Sequence, residues 1–231
     1  MEMVIVDLET TSRNPSTAEP ITGHFIHRID GEVVRVLRWK CQPRYWGWEA
    51  EQAVGTHGIS KEEAMSFPLW INAMRELYAW LPKSESYFVC HAARRMFGKQ
   101  STFDHATLAV QFFDVRQHHE FLRRFPARKI ISTHSLAKKV FSLPNYGLAP
   151  VCRAVGVGFD EDQHHGAEYD AAKCLALLEH FETKIDLKTF ALEEYEDNKE
   201  EAETEDKPKK ARSKKKPTTP GGLYGEPAHV Q

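Results

Sequence analysis

Asp7 and Glu9 stand two residues apart at the end of a short run of branched apolar residues, Val4, Ile5, Val6 and Leu8. If that run is a strand, residues i and i+2 project from one face. The two carboxylates then share a poorly solvated spot, which is costly unless a cation binds between them. If the strand has already ended, both face water and no chemistry follows; the local sequence leaves both readings open. Farther along, HHGAEYDAAKCLALL carries His165 and Asp170. Five helical steps turn about 140°, so these two share a site only if His165 lies in the loop before the helix, as Gly166 suggests. An imidazole beside a carboxylate suits general acid–base work, and the neighbouring His164 competes for any such role. Asp104, in TFDHATL, reads either as a helix cap or as a third carboxylate of the same site.

These side chains need a scaffold to meet. Residues 3–9 read as a buried strand. The stretches 21–30 and 32–41 alternate and flank Asp30-Gly31, a two-residue hairpin signal. Ser60 to Glu63 has the form of a capping box. A helix follows near Pro68, with Trp70, Met74, Leu77 and Leu81 on one face. A strand is expected at 86–91, a helix at 103–113, a short strand at 129–132, and short helices at 135–141 and 146–155. Residues 166–181 predict a helix with Ala171, Cys174, Leu175, Leu178 and Phe181 on its apolar face. No internal repeat is visible. A three-strand start followed by alternating helices and strands implies an α/β fold with a mixed sheet.

Asp7-x-Glu9, Asp104 and His165-x4-Asp170, in that order, resemble the DEDDh family of 3′–5′ exonucleases. Its members include the epsilon proofreading subunit of bacterial DNA polymerase III, exonuclease I, RNase T and oligoribonuclease. The resemblance covers about residues 3–185. Supporting segments are His57-Gly58-Ile59-Ser60, Phe88-Val89-Cys90-His91-Ala92, Thr133-His134-Ser135-Leu136-Ala137 and Asn145-Tyr146-x-Leu148. One departure stands out. The family's second motif places its Asp about five residues after the strand's His, whereas His91 and Asp104 are thirteen apart. Arg94, Arg95, Met96, Phe97, Gly98 and Lys99 lie between them. Asp104 keeps the expected Phe103 and Leu108; Asp114 is the fallback. The basic insertion either contacts a phosphate backbone or is a solvated excursion.

The resemblance implies a ribonuclease H-like α/β fold, with a mixed five-stranded sheet, its first three strands antiparallel, flanked by helices. It implies two divalent ions, Mg2+ or Mn2+, about 3.5–4 Å apart, clamping the attacking and leaving oxygens. Asp7 would bridge both ions. Glu9 and Asp170 would support the ion carrying the nucleophilic water, and Asp104 the second ion. His165 would be the general base, and Leu8, Thr10 and His57 would lie beside the terminal nucleotide. The implied reaction releases 5′-mononucleotides from the 3′ end of a single-stranded or 3′-terminal nucleic acid, DNA ahead of RNA. Two alternatives stand beside it: an exoribonuclease of the same fold, and a non-catalytic binding module of a replication or repair complex. An inactive relative is expected to lack at least one of the five residues.

The chain has 231 residues and a formal net charge of −2, which argues at first against a polyanionic partner. The charge is unevenly distributed. Residues 193–206 hold nine acidic residues and one lysine, and 207–216 hold seven basic residues. Residues 1–190 contain 23 acidic and 23 basic residues and are neutral. The division is therefore an exonuclease domain over 1–190 and a disordered tail over 191–231, whose acidic part either belongs to it or continues a preceding helix for a few turns. The basic block reads as a tether to nucleic acid or protein, or as a solubilising tail. No apolar run approaches a membrane span and no secretory signal is expected. Four cysteines without a CxxC pair suit reduced, intracellular thiols. The expected location is cytoplasmic, or nuclear in a eukaryotic source.

Overall fold

The computed structural model describes residues 1–96 and 99–205. Three strands come first: β1 (Glu2–Thr10), β2 (Pro20–Ile29) and β3 (Glu32–Lys40). Helices α1 (Trp48–His57), α2 (Lys61–Met65) and α3 (Trp70–Trp80) lead to β4 (Tyr87–Cys90). Then follow α4 (Phe103–Asp114), α5 (His118–Arg124), β5 (Ile130–Ser132), α6 (Thr133–Val140), α7 (Leu148–Ala154), α8 (Ala167–Glu182) and α9 (Leu187–Glu205). The strands form one sheet in the order β3-β2-β1-β4-β5. β2 is antiparallel to β1 and β3, while β4 is parallel to β1 and β5. This is the mixed five-stranded sheet expected from the sequence.

The hairpin turns on Asp30 (φ 48°) and Gly31 (φ 95°), two left-handed residues that match the twist of the flanking strands. β1 is central and buried on both faces. Its even-numbered Val4, Val6 and Leu8 pack with Met74, Leu77, Leu108, Phe112 and Phe121, from α3, α4 and α5. Its odd-numbered Met3 and Ile5 pack with Leu136, Val151, Cys174 and Leu178, from α6, α7 and α8. Asp7 and Glu9 continue that second row beyond the core. β3 is the open edge, with Val33, Val34 and Val36 about half exposed between charged neighbours. All four cysteines are free and buried. Among the described residues, no helix is long and apolar enough to cross a membrane.

The structure refines two readings of the sequence. The tail expected from residue 191 is helical as far as Glu205, and the beginning of α9 belongs to the core, with Leu187, Phe190 and Ala191 buried. Its acidic residues meet basic partners: Glu194 pairs with Arg94 at 2.9 Å, Glu193 with Lys139 at 2.8 Å and Glu201 with Lys99 at 2.9 Å. Residues 206–231, including the basic block, lie outside the described residues. The described part of the basic insertion before Asp104 is anchored at Arg94, while Arg95 is exposed. Arg94 is buried, and it also donates to the carbonyls of Gln100, Ala127 and Ile130. Removing one partner of a buried ion pair strands the other charge. Arg94→Ala should therefore cost about 3 kcal/mol or more, a drop of roughly 10 °C in the thermal midpoint. Thermal unfolding of the variant checks this. A truncation that removes the tail and leaves the domain whole belongs after residue 205 rather than near 192.

Candidate active site

The site forms where β1 outruns β4. The parallel pairing of these strands stops at Ile5–Val89. The later part of β1 therefore lacks a strand on that side, and Asp104, in the first turn of α4, accepts a hydrogen bond from the Leu8 backbone. α8 crosses the odd-numbered face of β1 and brings Asp170 to the same place. Carboxylate oxygens of Asp7, Glu9 and Asp170 all lie within 4.8 Å of one another. Glu9, Asp104 and Asp170 are buried, at 8%, 7% and 5% exposure, and Asp7 is half-buried.

The electrostatics are those of crowded anions without a counter-charge. Burial, then Asp104, Glu9 and Asp170, push the Asp7 carboxyl far above the ordinary range. Burial, then Asp170 and Asp104, raise Glu9 to about 8. Burial raises Asp104 to about 6 against the pull of its hydrogen bonds. Among the described residues no arginine or lysine pairs with any of the four; Asp170 meets only a histidine. Such a set is satisfied by hard divalent cations, which take carboxylate oxygens.

Three imidazoles surround the carboxylates. The His164 ring holds Asp170, its Nδ1 3.1 Å from both carboxylate oxygens. His165 takes a left-handed backbone (φ 65°), its N–H donates to Asp170 Oδ2 at 3.2 Å, and its exposed ring stacks on His164 at 3.8 Å between centroids. Burial and His164 lower the His165 pKa, with Asp170 opposing them. His57 Nδ1 accepts from the Ile59 N–H at 3.0 Å, so its proton sits on Nε2, which is buried without a partner. A cleft of about 470 Å3 opens beside Glu9, lined by Thr10, Ser12, Arg13 and one face of α1 from Trp48 to His57.

The expected residues separate as follows. Asp7, Glu9, Asp104, His165 and Asp170 converge, with Thr10 and His57 on the adjoining cleft wall. Leu8 does not present its side chain there. Strand alternation turns it to the opposite face, 7% exposed and against Gly23, so only its backbone borders the carboxylates. Asp114 sits at the far end of α4, about 15 Å along the axis from Asp104, and bonds Arg44 at 2.6 Å. His91 is structural: Nε2 donates to the Tyr146 carbonyl at 3.0 Å, and Nδ1 accepts from Thr133 Oγ1 at 2.8 Å. It ties together three of the segments that carried the resemblance. Arg13 and Trp48 escaped sequence reasoning, because nothing in a single sequence separates an exposed tryptophan from a core one.

No protein-family model matches the chain, and no curated protein matches its sequence significantly. Among solved structures it is similar to one described under the words "the structure of exonuclease I suggests how processivity is achieved". The TM-score is 0.62 at 13% identity, covering 83% of this chain and 42% of that one. It is similar also to E. coli exonuclease I in complex with a dT13 oligonucleotide, with TM-score 0.62, 13% identity and 79% and 41% of the two chains covered. The zinc-ion-bound E. coli exonuclease I–single-stranded DNA complex gives 0.60, 14%, 79% and 40%. The chain thus spans about two fifths of the length of these structures. It shares with exonuclease I a ribonuclease H-like fold, the mixed five-stranded sheet flanked by helices.

Proposed function

We propose that this protein is a metal-dependent 3′–5′ exonuclease of the DEDDh family that shortens the 3′ end of single-stranded DNA and releases 5′-mononucleotides. One observation carries the reading: Asp7, Glu9, Asp104 and Asp170 converge at the end of the central strand with no arginine or lysine partner among the described residues. Such crowding destabilises a pure binding module and suits a catalyst that uses divalent ions. The fold shared with exonuclease I and the oligonucleotide complexes of that protein agree with it.

Mg2+ or Mn2+ held by Asp7, Glu9, Asp104 and Asp170 would supply charge stabilisation at the phosphoryl group and acidify a water. The chain's own residues do the rest. His165, exposed at the mouth and kept neutral near pH 7 by burial and by His164, accepts a proton from the attacking water. Asp170 holds the His165 backbone, and His164 holds Asp170. His57, whose Nε2–H is buried and without a partner among the described residues, would flank the terminal nucleotide from the cleft wall. Thr10, bonded to the Ser12 carbonyl at 2.8 Å, fixes the loop between Glu9 and Arg13.

Digestion of 3′- and 5′-labelled single-stranded DNA, duplex DNA and RNA, with Mg2+, Mn2+ or EDTA, tests the proposal. The expected result is a ladder of shortened 5′-labelled DNA and free mononucleotide, abolished by EDTA. Shortening from the 5′ end, or no product from any substrate, would overturn it. Faster digestion of RNA would move the substrate class to RNA.

A further inference from the structure

We infer that Trp48 is a stacking platform for unpaired bases just upstream of the 3′ terminus, so that the site takes single strands or frayed ends ahead of paired ones. This rests on the exonuclease reading and names the form of its substrate.

The chain has five tryptophans, and four have structural employment. Trp39 is 1% exposed, and its indole N–H donates to the Ala73 carbonyl. The indole N–H groups of Trp46 and Trp70 donate to Glu51 and Gln111. The Trp80 ring lies under Arg35, 4.8 Å from its centroid. Trp48 is 68% exposed and, among the described residues, has no hydrogen bond at its nitrogen and no ring contact. Tyr45, 74% exposed, lies on the bare backbone of Gly47; a Cβ there would stand 2.6 Å from its ring. Of the two, only Trp48 is on the wall of the cleft, where its free ring face is open to a planar partner.

The cleft indicates what covers the Trp48 ring. Trp48 lines the same 470 Å3 space as Glu9. From Trp48 to His57 the α1 wall is about 14 Å long, more than the roughly 3.4 Å rise of one nucleotide. With the terminal nucleotide at the Glu9 and His57 end, the Trp48 end meets a base upstream of it. Among the described residues Arg13 is the only arginine or lysine lining the cleft, whereas Glu49 stands on α1 next to Trp48. A phosphate backbone laid along α1 would meet that carboxylate, so neutral bases face α1 and phosphates face the opposite wall. A paired base has its faces covered by its own stack; an unpaired one offers a face to an aromatic ring, which is a sequence-tolerant contact.

The test uses the full chain with the Trp48→Ala and Trp48→Phe variants and 5′-labelled oligo(dT), alone or annealed as a blunt duplex. Trp48→Ala should raise KM for the single strand at least about tenfold with a smaller change in kcat, and Trp48→Phe should recover most of it. The single-strand to blunt-end rate ratio should fall with KM. In EDTA, oligo(dT) should quench tryptophan emission of the wild-type protein, and Trp48→Phe should abolish the quench while still binding by fluorescence anisotropy. An unchanged KM and rate ratio in Trp48→Ala, or a quench that survives Trp48→Phe, overturns the platform. If the wild-type protein shows the Trp48-dependent quench yet digests no nucleic acid, the exonuclease reading fails and the platform stands. If it digests DNA without the quench, the platform fails and the exonuclease reading stands.

Discussion

Asp7→Asn should abolish metal-dependent hydrolysis, by more than about a thousandfold in kcat, and at the same time stabilise the metal-free protein. Asp7 is surrounded by Asp104, Glu9 and Asp170 in a poorly solvated pocket, and all three raise its pKa in addition to burial. The sign of the pH dependence follows. A carboxyl whose folded pKa exceeds its unfolded value binds extra protons in the folded state. The stability it contributes is complete below the unfolded value, 4.5 for Glu9 and 3.8 for Asp104, and is lost as pH rises through about 8 and about 6 respectively. In EDTA the unfolding free energy should fall between pH 5 and pH 8.5, by an amount on the order of a few kcal/mol for the set, and the thermal midpoint should fall with it. Asn at position 7 removes one charge and flattens that slope. Mn2+ or Mg2+ should raise the wild-type midpoint at pH 8 more than at pH 6, because the ligands must be deprotonated. Thermal scans over that range settle the matter; a metal-free variant no more stable than wild type at pH 8 would contradict the crowding argument.

His165→Ala should lower kcat by about 10²- to 10⁴-fold, with a thermal midpoint within a few degrees of wild type. The His165 ring is exposed and its packing partner is another imidazole, so its removal leaves no cavity. The contrast with His164→Ala gives the experiment its force. The His164 ring holds both oxygens of Asp170. Its loss loosens a carboxylate of the cluster and should raise the metal concentration needed for half activity. His165→Ala leaves Asp170 held and should cut turnover with that concentration little changed. Titrating Mn2+ against rate for both variants separates a proton acceptor from a support. Normal turnover in His165→Ala would remove it from the role of base.

Much of this arrangement was legible in the residues. Strands with strict alternation or continuous apolar runs, the Asp30-Gly31 hairpin and the α8 stripe declare themselves, because period and turn chemistry are local. Asp7 and Glu9 were legible as a pair for the same reason, and the opposite orientation of Leu8 follows from the period that aligns them. Helix α1 gave no signal, since only Ala50 of its ten residues is buried and Gly55 interrupts it. It therefore lacks the apolar stripe by which helices are recognised. The acidic stretch of α9 looked like self-repelling disorder because its partners Lys139, Arg94 and Lys99 lie far back in the chain. Local charge counting is blind to such pairs. The spacing of Phe103 and Leu108 favours Asp104 over Asp114; both lie on α4, and it is the first turn, with Asp104, that meets the Leu8 backbone of β1.

The Arg94–Glu194 pair joins positions one hundred residues apart. The segment leading into Asp104 leaves the ribosome long before the carboxylate that secures it. Until the last helix emerges, that guanidinium has carbonyls to hold but no anion to offset its charge. The order of synthesis thus makes α9, the last of the described helices, the one that finishes the approach to the carboxylate cluster, and a nascent chain cut short of it carries all five candidate residues without a locked second motif.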